Sequence, residues 1–210
     1  LGMGVWEVVS MANRHPRVNI LSPGPGVGGH CIAVDPWFLV ESCPKETRLI
    51  CTAREVNDER PERVVQRIEA ELTKCGVKNP VIASLGLTYK ANVCDIRCSP
   101  AIDVVSKLEA RGYEVRVCDP YVNGDSPFSC VSVEEAAAGA DAVVLLVDHE
   151  EYRDLSFRAL KPLMRNPIFI DTRGVWDMPA AEPVVRRSAD HSGRETQDVL
   201  TFDVTTSDAS

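Results

Sequence analysis

A cysteine, an aspartate four residues after it and a run of glycines before it are the first residues in this chain equipped for chemistry. They lie in "PGPGVGGHCIAVDPW", residues 23 to 37. Four glycines and two prolines fall within seven residues, Pro23 to Gly29. Such a backbone can approach a ligand closely and aim several N–H groups at one oxygen. Cys31 follows it and can serve as a nucleophile toward a carbonyl carbon. Pro36 suits the first turn of a helix, whose positive end favours a thiolate. Asp35 comes within reach if the segment turns helically, and through water it can act as an acid or base. The plainer alternative is a Gly/Pro turn carrying an incidental buried cysteine.

A second set of candidates follows the apolar runs. After "VIASLG" come Tyr89 and Lys90, and after "YEVRVC" comes Asp119. After "AVVLLV" come Asp148 and His149, and after "PIFI" come Asp171 and Arg173. If these runs are parallel strands of a doubly wound sheet, all these groups collect on one rim, beyond the carboxyl ends where ligands bind. Lys90, Arg97 and Arg173 could there meet phosphates, Arg through its planar fork and Lys as a point charge. Simple solvation of the rim is the competing reading. The loop "GLTYKANVCDIR" has no G-x-G-x-x-G, so the standard dinucleotide fingerprint is missing after that strand.

The elements that must position these residues fall into three stretches, 1–76, 77–185 and 186–210. The first reads as helical. "VWEVVSMANRH" has helical spacing, "PWFLVESC" begins a new helix, and a long helix is expected from about Thr47 to Cys75, stopped by Gly76. Leu49, Ala53, Val56, Val64, Ile68 and Leu72 could share one face of it, as in a dimer interface, with Leu49, Val56 and Ile68 as its stripe. The second stretch alternates strands and helices, including "SPAIDVVSKLEARG" with a Ser cap and a Gly stop, and implies a parallel sheet. A further short strand is expected near "FSCVSV". The third stretch is polar and reads as a loosely ordered tail. The fold class expected is therefore α/β, a helical segment followed by a Rossmann-like doubly wound parallel sheet.

Composition narrows the partners. The net charge of -8 argues against a general nucleic-acid surface. No apolar run reaches the roughly 18 residues of a membrane span, and residues 1–16 lack a signal-peptide layout. They read as the middle of a helix without Met or cap, so the chain is expected to be part of something longer. The eight cysteines have poor spacing for zinc, only Cys94 and Cys98 in "CDIRC" coming close, and no metal is expected. Cys51, Cys75 and Cys118 sit in apolar patterns, as free buried thiols in a reducing cytoplasm would.

Two motifs in order, "GVGGHC" with Asp35 beyond it and "GLTYKANVCDIRCSPAIDVV", resemble the nucleotide-sugar 6-dehydrogenase family, which includes UDP-glucose and GDP-mannose dehydrogenases. "NRHPRVNIL", "PGPGVGGHCIAVDPWF", "LVDH" and "DTRGVW" resemble the branch of that family whose substrate is UDP-N-acetyl-D-mannosamine. UDP-glucose and UDP-N-acetylglucosamine remain alternative substrates, and a non-catalytic nucleotide-sugar-binding or dimerisation module is a different class of reading. The resemblance implies oxidation of a sugar C6 alcohol to the acid with NAD, through a thiohemiacetal and a thioester on Cys31, with Asp35 assisting water. It implies a loop around the sugar at Ser22, Pro23, Gly24, Pro25, Gly26, Val27 and Gly28, and substrate contacts at Tyr89, Lys90 and Arg173. Contacts to NAD are implied at Cys31, Ile32, Ala33, Val34 and Arg97. Arg17 and His15 match groups given to the neighbouring subunit's substrate, in a homodimer or larger homo-oligomer. The family's N-terminal NAD domain has no counterpart in these residues, so the chain alone is not expected to complete catalysis. Cys94 and Cys98 depart from the pattern, standing where relatives commonly show acids.

Overall fold

The computed structural model describes residues 4–122, 124 and 126–176, with the backbone of 186–189 and 195–198. Four helices come first: α1 Val5–Ala12, α2 Asp35–Ser42, α3 Arg48–Asp58 and α4 Arg60–Lys74. Strand β1 Val81–Leu85, helix α5 Pro100–Ala110, strand β2 Glu114–Cys118, helix α6 Val133–Ala137 and strand β3 Ala142–Leu145 follow. Helices α7 Glu150–Arg153 and α8 Phe157–Leu160, a 3-10 turn Lys161–Leu163 and strand β4 Ile168–Asp171 complete this part.

Strands β1 to β4 form one parallel sheet in the order β2-β1-β3-β4. The chain is an α/β fold with a Rossmann-like doubly wound sheet, and its order reverses between β1 and β3. Side chains alternate across it. Ile82, Ala142 and Val144 face one core, with Val64, Val65, Ile68 and Leu72 of α4 and Val104, Val105 and Leu108 of α5. Val81, Ala83, Leu85, Val143 and Leu145 face the other, with Tyr152, Leu160 and Trp176. Covered on both faces, β1 and β3 are apolar almost throughout, which is why they read as continuous hydrophobic runs.

Several expectations meet the structure closely. Ser99 caps α5 by accepting from the Ala101 amide, with Pro100 in its first turn. Pro36 lies in the first turn of α2. Others are corrected. The long helix is two, α3 and α4, divided at Glu59. Pro61 has no N–H to give the Asn57 carbonyl, so the ladder breaks there. Its apolar residues also do not share one face. Val64, Ile68 and Leu72 are buried in this chain's own core, whereas Leu49 is 82% exposed and Val56 is exposed too. The expected strand near "FSCVSV" reduces to one bridge between Val117 and Cys130. Pro127 at its start offers no donor for a ladder.

In the stretch expected as a tail, β5 Arg186–Ala189 and β6 Glu195–Asp198 pair antiparallel, and its other residues lie outside those described. Among the described residues no helix is long and apolar enough to cross a membrane.

Candidate functional site

The Gly/Pro loop is built against the rim of the sheet. Pro25, Gly28 and Gly29 are buried. A Cβ on Gly28 would strike the Cys98 carbonyl and come within 2.6 Å of the Pro100 ring. Gly29, at φ +91°, lies against the Tyr89 ring, and its amide donates to the Arg97 carbonyl at 3.2 Å. Glycine is needed here for close approach, between loop and sheet domain rather than between loop and ligand alone.

From the helical side, Asn57 of α3 grips Val27. The Val27 amide donates to Asn57 Oδ1 at 2.7 Å, and Asn57 Nδ2 donates to the Val27 carbonyl at 3.2 Å. Cys31 is exposed, and its carbonyl accepts the amides of Val34 and Asp35 at 3.0 and 2.8 Å. That turn leads directly into α2, with exposed Asp35 as the first helical residue. Ile32 is exposed and Ala33 and Val34 half-buried in the same turn.

Arg97 stands close enough to Cys31 and Tyr89 for either, once ionised, to favour its charged form, although its main partner is Asp95. Arg97 Nε and Nη2 bond the Asp95 carboxylate at 3.0 and 2.6 Å, and the Arg97 amide adds a further bond. The guanidinium holds the Asp95 carboxyl down to about 2. His30 Nδ1 is 3.9 Å from the same carboxylate. Arg173 is half-buried, held by Asp148 through Nε at 2.9 Å. A Cβ on Gly24 would strike its Nη1, so its guanidinium lies directly on the loop. Gly174 beside it carries the Trp6 indole of α1.

The structure thus brings together the 23–31 loop, Tyr89, Arg97 and Arg173. Ser22 is exposed at the loop's start, and the Lys90 side chain is exposed next to Tyr89 with no bonded partner among the described residues. His15 and Arg17 are not brought to this site. They lie in an exposed segment, where His15 Nδ1 accepts the Arg17 amide and Asn13 pins Ile20 through two bonds.

The rim is less open than its sequence suggests. Asp119 and His149 are fully buried and paired to each other. Asp171 accepts the amides of Arg173, Gly174, Val175 and Trp176, so it shapes a turn. Asp148 is committed to Arg173 and Arg153. Sequence reasoning missed Asn57, Asp95 and Asn92 altogether. The one local signal for Asn57 is Pro61 four residues on, which frees its carbonyl.

Of the cysteines, Cys118 is buried and Cys31, Cys43, Cys94 and Cys98 are exposed. Among the described residues no cluster of three or more His, Cys, Asp or Glu could hold a metal.

A parallel doubly wound sheet whose carboxyl rim carries basic groups has the architecture of a Rossmann-like nucleotide-binding protein. Residues 83–178 match the UDP binding domain of the UDP-glucose/GDP-mannose dehydrogenase family, and residues 1–59 match its central domain. The chain belongs to that family. It is 48% identical over 181 residues to an NDP-N-acetyl-D-galactosaminuronic acid dehydrogenase of Ralstonia nicotianae, covering 84% of this chain and 41% of that one. It is 47% identical over 178 residues to the UDP-N-acetyl-D-mannosamine dehydrogenase of Methanocaldococcus jannaschii, covering 83% and 40%. The solved UDP-D-ManNAc dehydrogenase of Pyrococcus horikoshii superposes with a TM-score of 0.77 at 38% identity, covering 85% of this chain and 42% of that one. The chain therefore spans about two fifths of the length of these relatives.

Proposed function

We propose that this chain carries the thiol-bearing and UDP-binding parts of a nucleotide-sugar 6-dehydrogenase that converts UDP-N-acetyl-D-mannosamine to its uronic acid. The observation that carries the reading is the seating of the Gly/Pro loop on Tyr89, Cys98 and Pro100, with Gly29, two residues before Cys31, bonded to the Arg97 carbonyl on the sheet rim. The choice of sugar rests on the wording of the loop and of "DTRGVW", and relatives of nearly equal identity are named for another N-acetylated sugar. The domains proposed are a central helical part over 1–76 and a UDP-binding part over 77–185.

On this reading Lys90 and Arg173 meet the diphosphate, with Arg173 already oriented by Asp148. The loop from Ser22 to Gly28 wraps the sugar and presents its C6 to Cys31. Each of the two oxidations removes a hydride, and NAD supplies the acceptor when bound. Arg97 fits such a group, because Asp95 takes its Nε and Nη2 and leaves Nη1 without a protein partner among the described residues. The Cys31–Val34 turn would line the same space. After the alcohol has become an aldehyde, Cys31 sulfur bonds to C6 and the carbonyl oxygen takes a proton, giving a thiohemiacetal. Loss of the second hydride and of the hydroxyl proton leaves a thioester. Water then attacks C6 while Asp35 accepts its proton. The C–S bond breaks, and the acid and the free thiol are released. Arg17 and His15 serve the neighbouring subunit's substrate in a homodimer or larger assembly.

The test joins the chain to the NAD-binding domain of a relative and follows NADH formation with UDP-N-acetylmannosamine, UDP-N-acetylglucosamine and UDP-glucose. Cys31→Ser is expected to abolish acid formation by several powers of ten with little change in substrate binding, because a hydroxyl is a far weaker nucleophile. Near-normal turnover by that variant would sink the thiol mechanism, and equal rates with all three sugars would sink the sugar assignment. On the chain itself, calorimetry is expected to detect UDP and to detect NAD hardly at all.

A further inference from the structure

Asn57 is bonded to Val27 by both its amide oxygen and its amide nitrogen, across thirty positions of sequence. The orientation of that amide is unambiguous. The Val27 N–H can only donate, so it faces Oδ1, and Val27 O and Asp58 Oδ1 can only accept, so both face Nδ2. Asp58 Oδ1 takes Asn57 Nδ2 at 3.1 Å and Arg54 Nη2 at 2.8 Å. Arg54, at the far end of this chain of bonds, is buried, only 7% exposed. The series runs Arg54, Asp58, Asn57, Val27, from the body of α3 into the thiol loop. These side chains also line a cleft of about 330 Å³ together with Ala33, Cys98, Pro100 and Asp103.

The helix break explains why the amide can reach. Pro61 leaves the last turn of α3 without a continuing ladder, and the Asn57 carbonyl faces Gly26, whose added Cβ would stand 3.5 Å from it. Asn57 therefore holds Val27 through its side chain and sits against Gly26 through its backbone. On the loop's other face, Tyr89, Cys98 and Pro100 press on Gly28 and Gly29. The loop is clamped between α3 and the sheet rim, four residues ahead of Cys31.

We infer that Asn57 is a positioning residue for Cys31, with Asp58 and Arg54 fixing the direction in which its amide acts. The inference rests on the reading of Cys31 as the reacting thiol. A loop held by two bonds at Val27 keeps the sulfur within the short distance that attack on C6 demands, and loss of that hold costs rate rather than substrate affinity.

Amide exchange on the intact chain tests the clamp without any turnover. Asn57→Ala is expected to speed exchange at Val27 at least about tenfold while amides of β1 and β3 exchange as before. Asn57→Leu keeps the branched shape but cannot bond Val27, so it is expected to lose protection as Asn57→Ala does, whereas a residue important only for packing would be rescued by it. Unchanged Val27 protection in Asn57→Ala, or equal loss of protection through β1 and β3, would overturn the inference. In the chain joined to an NAD-binding domain, Asn57→Ala is expected to lower kcat about a hundredfold with KM for the UDP-sugar nearly constant. A rise in KM with kcat unchanged would also overturn it. Full turnover by Cys31→Ser in the same assay would instead mark failure of the thiol reading, so the two outcomes are separable.

Discussion

His149 donates from Nε2 to Asp119 Oδ2 across 3.1 Å, with both side chains entirely buried. The tautomer follows from a neighbour. The Asn92 backbone N–H reaches His149 Nδ1 at 2.9 Å, so Nδ1 accepts and Nε2 carries the proton. Asn92 Oδ1 in turn accepts the Glu150 amide at 3.0 Å. The loop after β1, which bears Tyr89 and Lys90, is thereby tied to the segment after β3. Tyr121 stacks on the imidazole at 4.8 Å and excludes water from the pair.

This pair makes the fold sensitive to acid. Burial alone would push the Asp119 carboxyl up, but the His149 bond and the amides of Leu87 and Tyr121 together bring it below the ordinary carboxylate value. A carboxyl depressed in the folded state adds stability that is present above its unfolded value of about 3.9, and loses it as pH falls through the folded value. Asp119→Asn is therefore expected to cost about 3 kcal/mol at pH 7 and to flatten the fall in stability below about pH 4. Urea titrations from pH 2.5 to 7 measure both effects. A variant as acid-sensitive as the parent would assign that sensitivity to other groups.

Gly86 marks the point where the sheet order reverses. At φ +97° it occupies the left-handed region, and a Cβ there would strike the Val147 side chain and approach its amide to 2.9 Å. That amide, just past β3, is bonded to the Leu85 carbonyl at 3.2 Å and cannot readily retreat. Gly86→Ala is expected to lower stability by about 2 kcal/mol or more, read from urea unfolding. The control is Gly112→Ala, also at positive φ but with nothing within 4 Å, which should cost less.

The division of the long helix yields a contrast between its halves. Ile68 is fully buried in the core beside the sheet, while Leu49 is 82% exposed. Ile68→Ala is expected to cost about 3 kcal/mol at every protein concentration. If the exposed apolar residues of α1 to α3 meet a second copy, Leu49→Asp should leave the monomer's stability within about 0.5 kcal/mol and weaken self-association. Sedimentation at rising concentration separates the two, and an unchanged association constant in Leu49→Asp would remove Leu49 from any interface.

What could be read from residues alone follows the reach of each interaction. The parallel sheet was legible because β1 and β3 are buried on both faces, and the caps at Ser99 and Pro36 because they act within one helical turn. The thiol loop stood out by composition. Its clamp did not, because Asn57 and Val27 are thirty residues apart and an asparagine in a helix carries no mark of its partner. The same distance hid the pairing of Asp119 with His149 and turned an apparently open rim into a buried network. Ile68 was misplaced for a related reason. Helical spacing shows which residues share a stripe, and leaves open whether the stripe meets this chain's sheet or another molecule.

Arg173 rests directly on a glycine of the loop. Asp148 holds Arg173 by Nε, and the guanidinium lies against Gly24 so closely that a Cβ there would strike Nη1. The obstacle is the far end of a flexible side chain, and Gly24 lacks a positive φ. Gly24→Ala should thus leave stability within about 0.5 kcal/mol, because the guanidinium can swing aside. If Arg173 meets the diphosphate, that swing takes its fork from the position Asp148 has set. Affinity for UDP is then expected to fall about tenfold, equivalent to about 1.4 kcal/mol. Arg173→Lys, which keeps the charge and loses the planar fork, should fall by a similar factor. Calorimetry with UDP at fixed ionic strength measures both, with thermal unfolding as the check on the fold. Unchanged affinity in the two variants would show that Arg173 braces the loop and that the phosphate contact lies with other groups of the rim.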